Sequence, residues 1–222
     1  MQDFNSLHDA ILNGDAKAAK ATTEAALAAG VEPMALVQSY MMPAMDRVGR
    51  RFECNEYFVP ELLLSARAMK GALGLVRPLL AAKGAEPAGR VVIGTVQGDL
   101  HDIGKNLVAA MLEGGGYEIF DLGVNVAPEK FVAAVKEKNA DLVALSALLT
   151  TTLQGMKTTI DALSNAGVRR QVKVLVGGAP VTQKFADSIG ADAFGDNAVS
   201  AVTIARKFTC GKVTGNNPNS GS

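Results

Sequence analysis

From Arg90 onward the chain alternates short, apolar, β-branched runs with amphipathic segments, and this alternation restricts the fold more than any other feature. Val91–Val96, Tyr117–Leu122, Leu142–Ser146 and Val172–Val176 are short runs rich in β-forming residues, as strands are. Helical periodicity fills 103–114, 129–138, 153–166 and 181–189. A fifth short strand is expected at Ala193–Phe194, before a last helix at 197–208. Strand and helix in strict alternation predict a parallel sheet covered on both faces, because each right-handed helical crossover returns the chain to the same end of the sheet.

For five such strands the expected arrangement is an α/β domain with the flavodoxin-like (Rossmann-like) order 2-1-3-4-5, whose switch point lies between the first and third strands. Three loops then meet at one sheet edge. Gly98-Asp99-Leu100-His101-Asp102-Ile103-Gly104-Lys105-Asn106 follows the first strand, Ser146 and Thr150-Thr151-Thr152 follow the third, and Gly177-Gly178-Ala179-Pro180 follows the fourth. The carboxyl edge of a parallel sheet is where such folds bind ligands.

The first 82 or so residues read differently, with helical spacing and almost no strand signal. Leu7, Ile11 and Leu12 form a short stripe that stops at Asn13-Gly14, and Asp15 is placed to cap an alanine-rich second helix ending at Gly30. Pro33 opens a third helix carrying Leu36, Val37, Tyr40, Met41, Met45, Val48 and Phe52, with a kink expected at Pro43. Pro60 opens a fourth, with Leu63, Ala66, Met69, Leu73, Val76 and Leu80 three or four apart. Short connections make this a small antiparallel four-helix bundle, in which such stripes are core. The turn Cys54–Phe58 stands apart, since it gathers aromatic groups in a connection. Glycine, proline and charge in Lys83–Gly89 mark a linker. The division expected is a helical domain over 1–86, a sheet domain over 87–212, and a disordered polar tail over 213–222, with no internal repeat.

Lysine plus arginine equals aspartate plus glutamate, at 22 each, so no whole-chain field draws nucleic acid or an anionic membrane. Tryptophan is absent, which also removes stacking platforms for single strands. No apolar stretch reaches the roughly 20 residues of a spanning helix, and the acidic, polar start is no signal peptide. Two cysteines, Cys54 and Cys210, are too few for a disulfide framework, and a cytoplasmic protein with reduced thiols is expected.

Asp99 and His101 stand two apart and project from the same side of an extended segment. A carboxylate beside an imidazole fixes its tautomer and raises its basicity, as behind metal-ligating histidines. The same pattern also suits a plain loop hydrogen bond before a helix capped by Asp102. Ser146 and Gly177-Gly178 likewise read as turn residues or as small residues leaving a slot between strands. A lone histidine is insufficient for a bare ion, His8 being expected on a solvated helix face, but it suffices for an axial position beneath a macrocycle. Neither a P-loop nor a dinucleotide fingerprint is present.

Asp99-x-His101-x-x-Gly104, Ser146-x-Leu148 and Gly177-Gly178 together resemble the cobalamin-binding signature of methionine synthase and of the small corrinoid proteins of methyltransferase systems. The similarity extends over Gly98–Asn106, Tyr117–Gly123 and Phe58–Met69. It implies a cobalamin or related corrinoid, methylcobalamin in the loaded state, bound base-off with His101 as the cobalt's lower ligand. Asp99, His101 and Thr152 would form a ligand triad, Thr152 standing where methionine synthase has serine. Gly98, Asp102, Ile103 and Gly104 would complete the cofactor loop, and Ser146, Leu148, Thr150, Gly177 and Gly178 the slot for the nucleotide tail. The helical domain would cap the upper corrin face through Phe58, Leu62 and Leu63 and swing on the linker.

The function so implied is a methyl shuttle without turnover of its own. It accepts a methyl group on cobalt(I) from a substrate-specific methyltransferase and delivers it through an acceptor methyltransferase to a thiol or pterin. An ATP-dependent reductive activator is a third implied partner, and neither nucleic acid nor membrane is. The small subunit of a radical isomerase shares the histidine motif but not the helical domain, and a cobalamin-dependent sensor shares the cofactor. A flavodoxin-like or receiver-type module would explain the fold but not three ligand motifs at one edge.

Overall fold

The computed structural model describes residues 4–209, so Cys210 and the expected tail at 213–222 lie outside the described residues. Contacts divide the chain into two compact units, one running to Pro87 and including Ala110–Gly116, the other comprising Ala88–Ala109 and the chain from Tyr117 onward.

The helical unit begins with α1 (Asn5–Leu12) and α2 (Ala16–Ala28), whose N-terminus is capped by Asp15 accepting the Ala18 N–H at 2.9 Å. The third helix is continuous but changes pitch, through α3 (Pro33–Leu36), a π-helical turn (Val37–Met41) and α4 (Met42–Glu53). Pro43 has no N–H for the Ser39 carbonyl, and its ring would strike that carbonyl in a regular helix. The chain answers by widening the turn, so that the Met42 N–H reaches the Val37 carbonyl, five residues back. The expected kink is thus a π-turn.

The long helix α5 (Val59–Ala82) buries Leu62, Ala66, Met69, Leu73 and Val76. The stripe therefore starts at Leu62 and not at Leu63, which is 45% exposed. Steps of three and four both satisfy helical spacing, so periodicity allowed either register, and burial selects one. Before α5, the Tyr57 hydroxyl donates to the Leu12 carbonyl at 3.1 Å, as does the Ser65 hydroxyl within α5, and Arg51 Nη1 donates to the Tyr57 hydroxyl at 2.7 Å. This satisfies a carbonyl that the end of α1 would leave unpaired.

The last turns of α6 (Ile103–Gly114) belong with these helices, although the sequence division assigned them to the sheet domain. A Cβ on Gly114 would stand 3.0 Å from Met45 Cε and 3.6 Å from Met69 Cγ, so glycine permits the close approach. Glu113 pairs with Lys70 at 3.0 Å and Arg77 at 3.3 Å.

The sheet unit continues through β1 (Arg90–Thr95), β2 (Glu118–Asp121), α7 (Pro128–Lys138), β3 (Leu142–Ser146), a 3-10 turn (Thr150–Thr152) and α8 (Gln154–Asn165). It ends with β4 (Lys173–Gly177), α9 (Gln183–Ile189), β5 (Ala193–Gly195) and α10 (Ala198–Thr209). All pairings are parallel and the order is β2-β1-β3-β4-β5, as the alternation predicts. Val92, Val143, Leu145, Val174 and Val176 pack with Phe131 and Val135 of α7 and with Met156, Ile160 and Leu163 of α8. Each such buried side chain contributes about 1.5–3 kcal/mol. Register brings Thr95, Ser146, Gly177 and Gly195 into one row across the carboxyl edge. Among the described residues no helix is long and apolar enough to cross a membrane.

Candidate functional site

The loop between β1 and α6 is built on a buried carboxylate. Asp99 has no solvent exposure, and both of its oxygens are engaged. Oδ1 accepts the His101 backbone N–H at 3.0 Å and faces His101 Nδ1 at 2.9 Å. Oδ2 accepts the Thr152 hydroxyl at 2.7 Å, the Leu148 N–H at 2.8 Å and the Leu149 N–H at 3.3 Å. Burial raises a carboxyl pKa, but the Thr152 hydroxyl, the His101 and Leu148 amides and the His101 ring outweigh it and hold Asp99 well below the usual carboxylate range. Asp99 is therefore an ionised, acceptor-only group. Facing it, a neutral His101 ring carries its proton on Nδ1 and keeps the lone pair on Nε2. The His101 side chain is 50% exposed.

Three further contacts set the shape of the loop. The Thr95 hydroxyl donates to the His101 carbonyl at 2.8 Å. Asn125, held at a left-handed φ of 52° that asparagine tolerates, accepts the Gly98 N–H on its side-chain oxygen at 2.8 Å and donates its own N–H to the Asp99 carbonyl at 2.9 Å. Lys105, almost fully buried, donates to the Asp121 carboxylate and, at 2.7 Å, to Asn106 Oδ1. The Asp102 carboxylate accepts the Asn106 side-chain amide at 3.1 Å.

The sequence-based candidates divide into three groups. Gly98, Asp99, His101, Asp102, Ile103 and Gly104 share the histidine loop, and Thr152 joins it through Asp99. Ser146, Leu148, Thr150, Gly177 and Gly178 gather where β3 and β4 end, Ser146 lying opposite Gly177. Phe58, Leu62 and Leu63 belong to the helical unit, where Phe58 and Leu63 are exposed while Leu62 is fully buried in that unit's own core. Leu62 therefore presents no surface to a cofactor. Sequence patterns do not mark Thr95, Lys105, Asp121 and Asn125: a threonine ending a strand, a lysine in a first helical turn, an aspartate ending β2 and an asparagine beyond it carry no distinctive local signal.

A macrocycle with its own in-plane nitrogens fits these residues. Among the described residues no group of three His, Cys, Asp or Glu comes together as a metal cage, and His8 is engaged with Asp9 at 3.0 Å. The site thus offers one nitrogen, as an axial position requires. Gly104 has an ordinary backbone conformation, and a Cβ there would meet nothing within 4 Å, so the fold does not require glycine but a group lying on the loop would. Leu100 and Ile103 are 70% and 81% exposed, and Leu148 and Leu149 are also exposed, which is costly apolar surface unless something covers it. At the β3–β4 edge a Cβ on Gly178, at φ 137°, would lie 1.9 Å from the Ala147 carbonyl oxygen, and one on Gly177 would lie 3.0 Å from that of Gly195.

Comparison with known proteins identifies the family. Two family models, each described as a B12 binding domain, match residues 89–203 and residues 4–77. The chain is 43% identical over 180 residues to the dimethylamine corrinoid protein of Methanosarcina barkeri, covering 80% of this chain and 84% of that one. It is 42% identical over 200 residues to trimethylamine corrinoid protein 1 of Methanosarcina acetivorans, covering 89% and 93%. Among solved structures, a cobalamin-binding protein from Desulfitobacterium hafniense aligns with a TM-score of 0.78 at 34% identity, over 94% of this chain and 99% of that one. The methanol:cobalamin methyltransferase complex of Methanosarcina barkeri aligns with a TM-score of 0.83 at 31% identity, over 93% and 79%. With both of its units matched by B12 binding models and most of its length shared with such relatives, the chain belongs to the family of B12-binding corrinoid proteins.

Proposed function

We propose that this chain is a methyl shuttle, which carries a cobalamin or related corrinoid base-off on His101 between a substrate-specific methyltransferase and a second methyltransferase serving a thiol or pterin acceptor. The observation that carries the reading is the pairing of His101 Nδ1 with the buried, ionised Asp99, which leaves Nε2 as a lone-pair donor on a half-exposed ring. When bound, the corrinoid supplies a cobalt centre that takes up and gives away methyl groups. The protein's part is to hold and orient. Asp99 fixes the ring's tautomer, Thr152 and the Leu148 amide fix Asp99, and Leu100, Ile103 and Gly104 supply exposed surface on the same loop for the corrinoid to cover.

Ser146, Leu148, Thr150, Gly177 and Gly178 are the residues for the nucleotide tail, their small side chains at the β3–β4 edge supporting that role. Phe58 and Leu63 are the exposed apolar candidates for covering the upper face. The names of the relatives, which concern dimethylamine, trimethylamine and methanol systems, support a methyltransferase partner that selects the donor. A reductive activator dependent on ATP is the remaining partner of this scheme.

Two experiments test it. Affinity capture from cells grown on individual methyl donors is expected to retrieve a substrate-specific methyltransferase; retrieval of none on any donor contradicts the shuttle. His101→Ala is expected to keep the corrinoid through the tail slot while losing the histidine-ligated visible spectrum completely, and an unchanged spectrum contradicts the assignment of His101 as ligand.

A further inference from the structure

We propose that Lys105 and Asp121, together with Asn125, form a latch that sets the position of His101, so that these three are positioning residues for axial ligation. The proposal rests on the reading of His101 as ligand. Its starting point is a broken local rule. Lys105 lies in the first turn of α6, where the helix dipole disfavours a cation, and it is only 3% exposed, although a buried ammonium is costly unless paired. Its anionic partner is Asp121, at the end of β2, whose other oxygen accepts the Gly123 N–H at 2.8 Å. The Lys105 ammonium also holds Asn106 Oδ1 at 2.7 Å, and Asn106 in turn holds Asp102 at 3.1 Å, one residue from His101.

The connection after β2 therefore grips the histidine loop twice. Asp121 takes its far end through Lys105, and Asn125 takes its near end through the Gly98 N–H and the Asp99 carbonyl. From the connection after β3, Leu148, Leu149 and Thr152 grip the loop through Asp99. Without the latch, the loop is held by the Asp99 carboxylate and by the Thr95 hydroxyl on the His101 carbonyl, and its ends at Gly98 and Lys105 gain freedom to shift the imidazole. The latch closes the other side. A buried, multiply bonded lysine is well suited to this, because a charge-assisted bond removed from water is stronger and more directional than an exposed one.

Lys105→Met, Lys105→Met/Asp121→Asn and Asn125→Gly test the proposal; the last tolerates the left-handed backbone and removes only the side-chain acceptor, so it remains informative if burial at 105 proves essential for folding. Two readouts are needed. In the cofactor-free protein, hydrogen exchange of the amides over 98–106 is expected to quicken by about tenfold or more in each variant, with the double variant no faster than Lys105→Met. In protein loaded with cobalt(II) cobalamin, the histidine-nitrogen coupling in electron paramagnetic resonance is expected to fall several-fold while cobalamin stays bound. Unchanged exchange, or unchanged coupling, in both Lys105→Met and Asn125→Gly overturns the latch. Absence of the coupling from the unaltered protein overturns the ligand reading instead, and the exchange arm still judges the latch on its own.

Discussion

Asp99→Ala is expected to destabilise the fold by about 3 kcal/mol and lower its melting temperature by about 6–12 °C. The substitution removes the common acceptor of the Thr152 hydroxyl, the Leu148, Leu149 and His101 amides and the His101 ring. Donors stranded in a buried site lose their water without gaining a partner, so the cost exceeds that of one ordinary hydrogen bond. The loss has a pH signature. A carboxylate held below its ordinary range stabilises the fold above the unfolded-state value of about 3.9, and that contribution vanishes as the pH falls through the depressed native value. The stability gap between Asp99→Ala and the unaltered protein is thus expected to be constant near neutrality and to narrow below about pH 4. Chemical denaturation at several pH values reads it directly, and a gap that widens on acidification contradicts the assignment of Asp99 as the ionised anchor.

Gly178→Ala is expected to cost as much or more, about 3–4 kcal/mol, for a different reason. A Cβ there would meet the Ala147 carbonyl oxygen at 1.9 Å, and φ 137° is a region that side-chain-bearing residues rarely adopt. Neither atom is the end of a flexible side chain, so β3 and β4 must separate where Ser146 faces Gly177, which is the proposed tail slot. Gly104→Ala is the useful contrast. It meets open space at an ordinary φ, so stability is expected to hold or rise slightly while cobalamin affinity falls. Thermal melts with and without cobalamin separate the two; equal melting behaviour for both variants contradicts this division of roles.

Much of the sheet was legible because its signals are local. Short apolar runs such as Val91–Val96 and Leu142–Ser146 could be placed one by one, and alternation with helices dictated parallel order. Asp99 and His101 were legible because they are two apart in sequence. The register at Leu62 was not, since three-residue and four-residue steps fit the same helical pattern and only packing against the rest of the bundle selects the buried face. Pro43 was legible as a disturbance but not as a π-turn, because the response depends on how the turn before it can widen. Lys105 was hidden for the opposite reason from Asp99. Its partner, Asp121, is 16 residues away, and a lysine near a helix start reads as solvated until the end of β2 is placed beside it. Asn125 is likewise 27 residues from Gly98, and the link exists only because β1 and β2 are neighbours in the sheet.

The central claim is that His101 donates its Nε2 lone pair to the corrinoid cobalt, and the most direct measurement is electron paramagnetic resonance on full-length protein loaded with cobalt(II) cobalamin. Grown with isotopically labelled histidine, the protein is expected to show a nitrogen splitting that changes with the label and disappears in His101→Ala but not in His8→Ala. A splitting that ignores the label, or that survives in His101→Ala, would contradict the account.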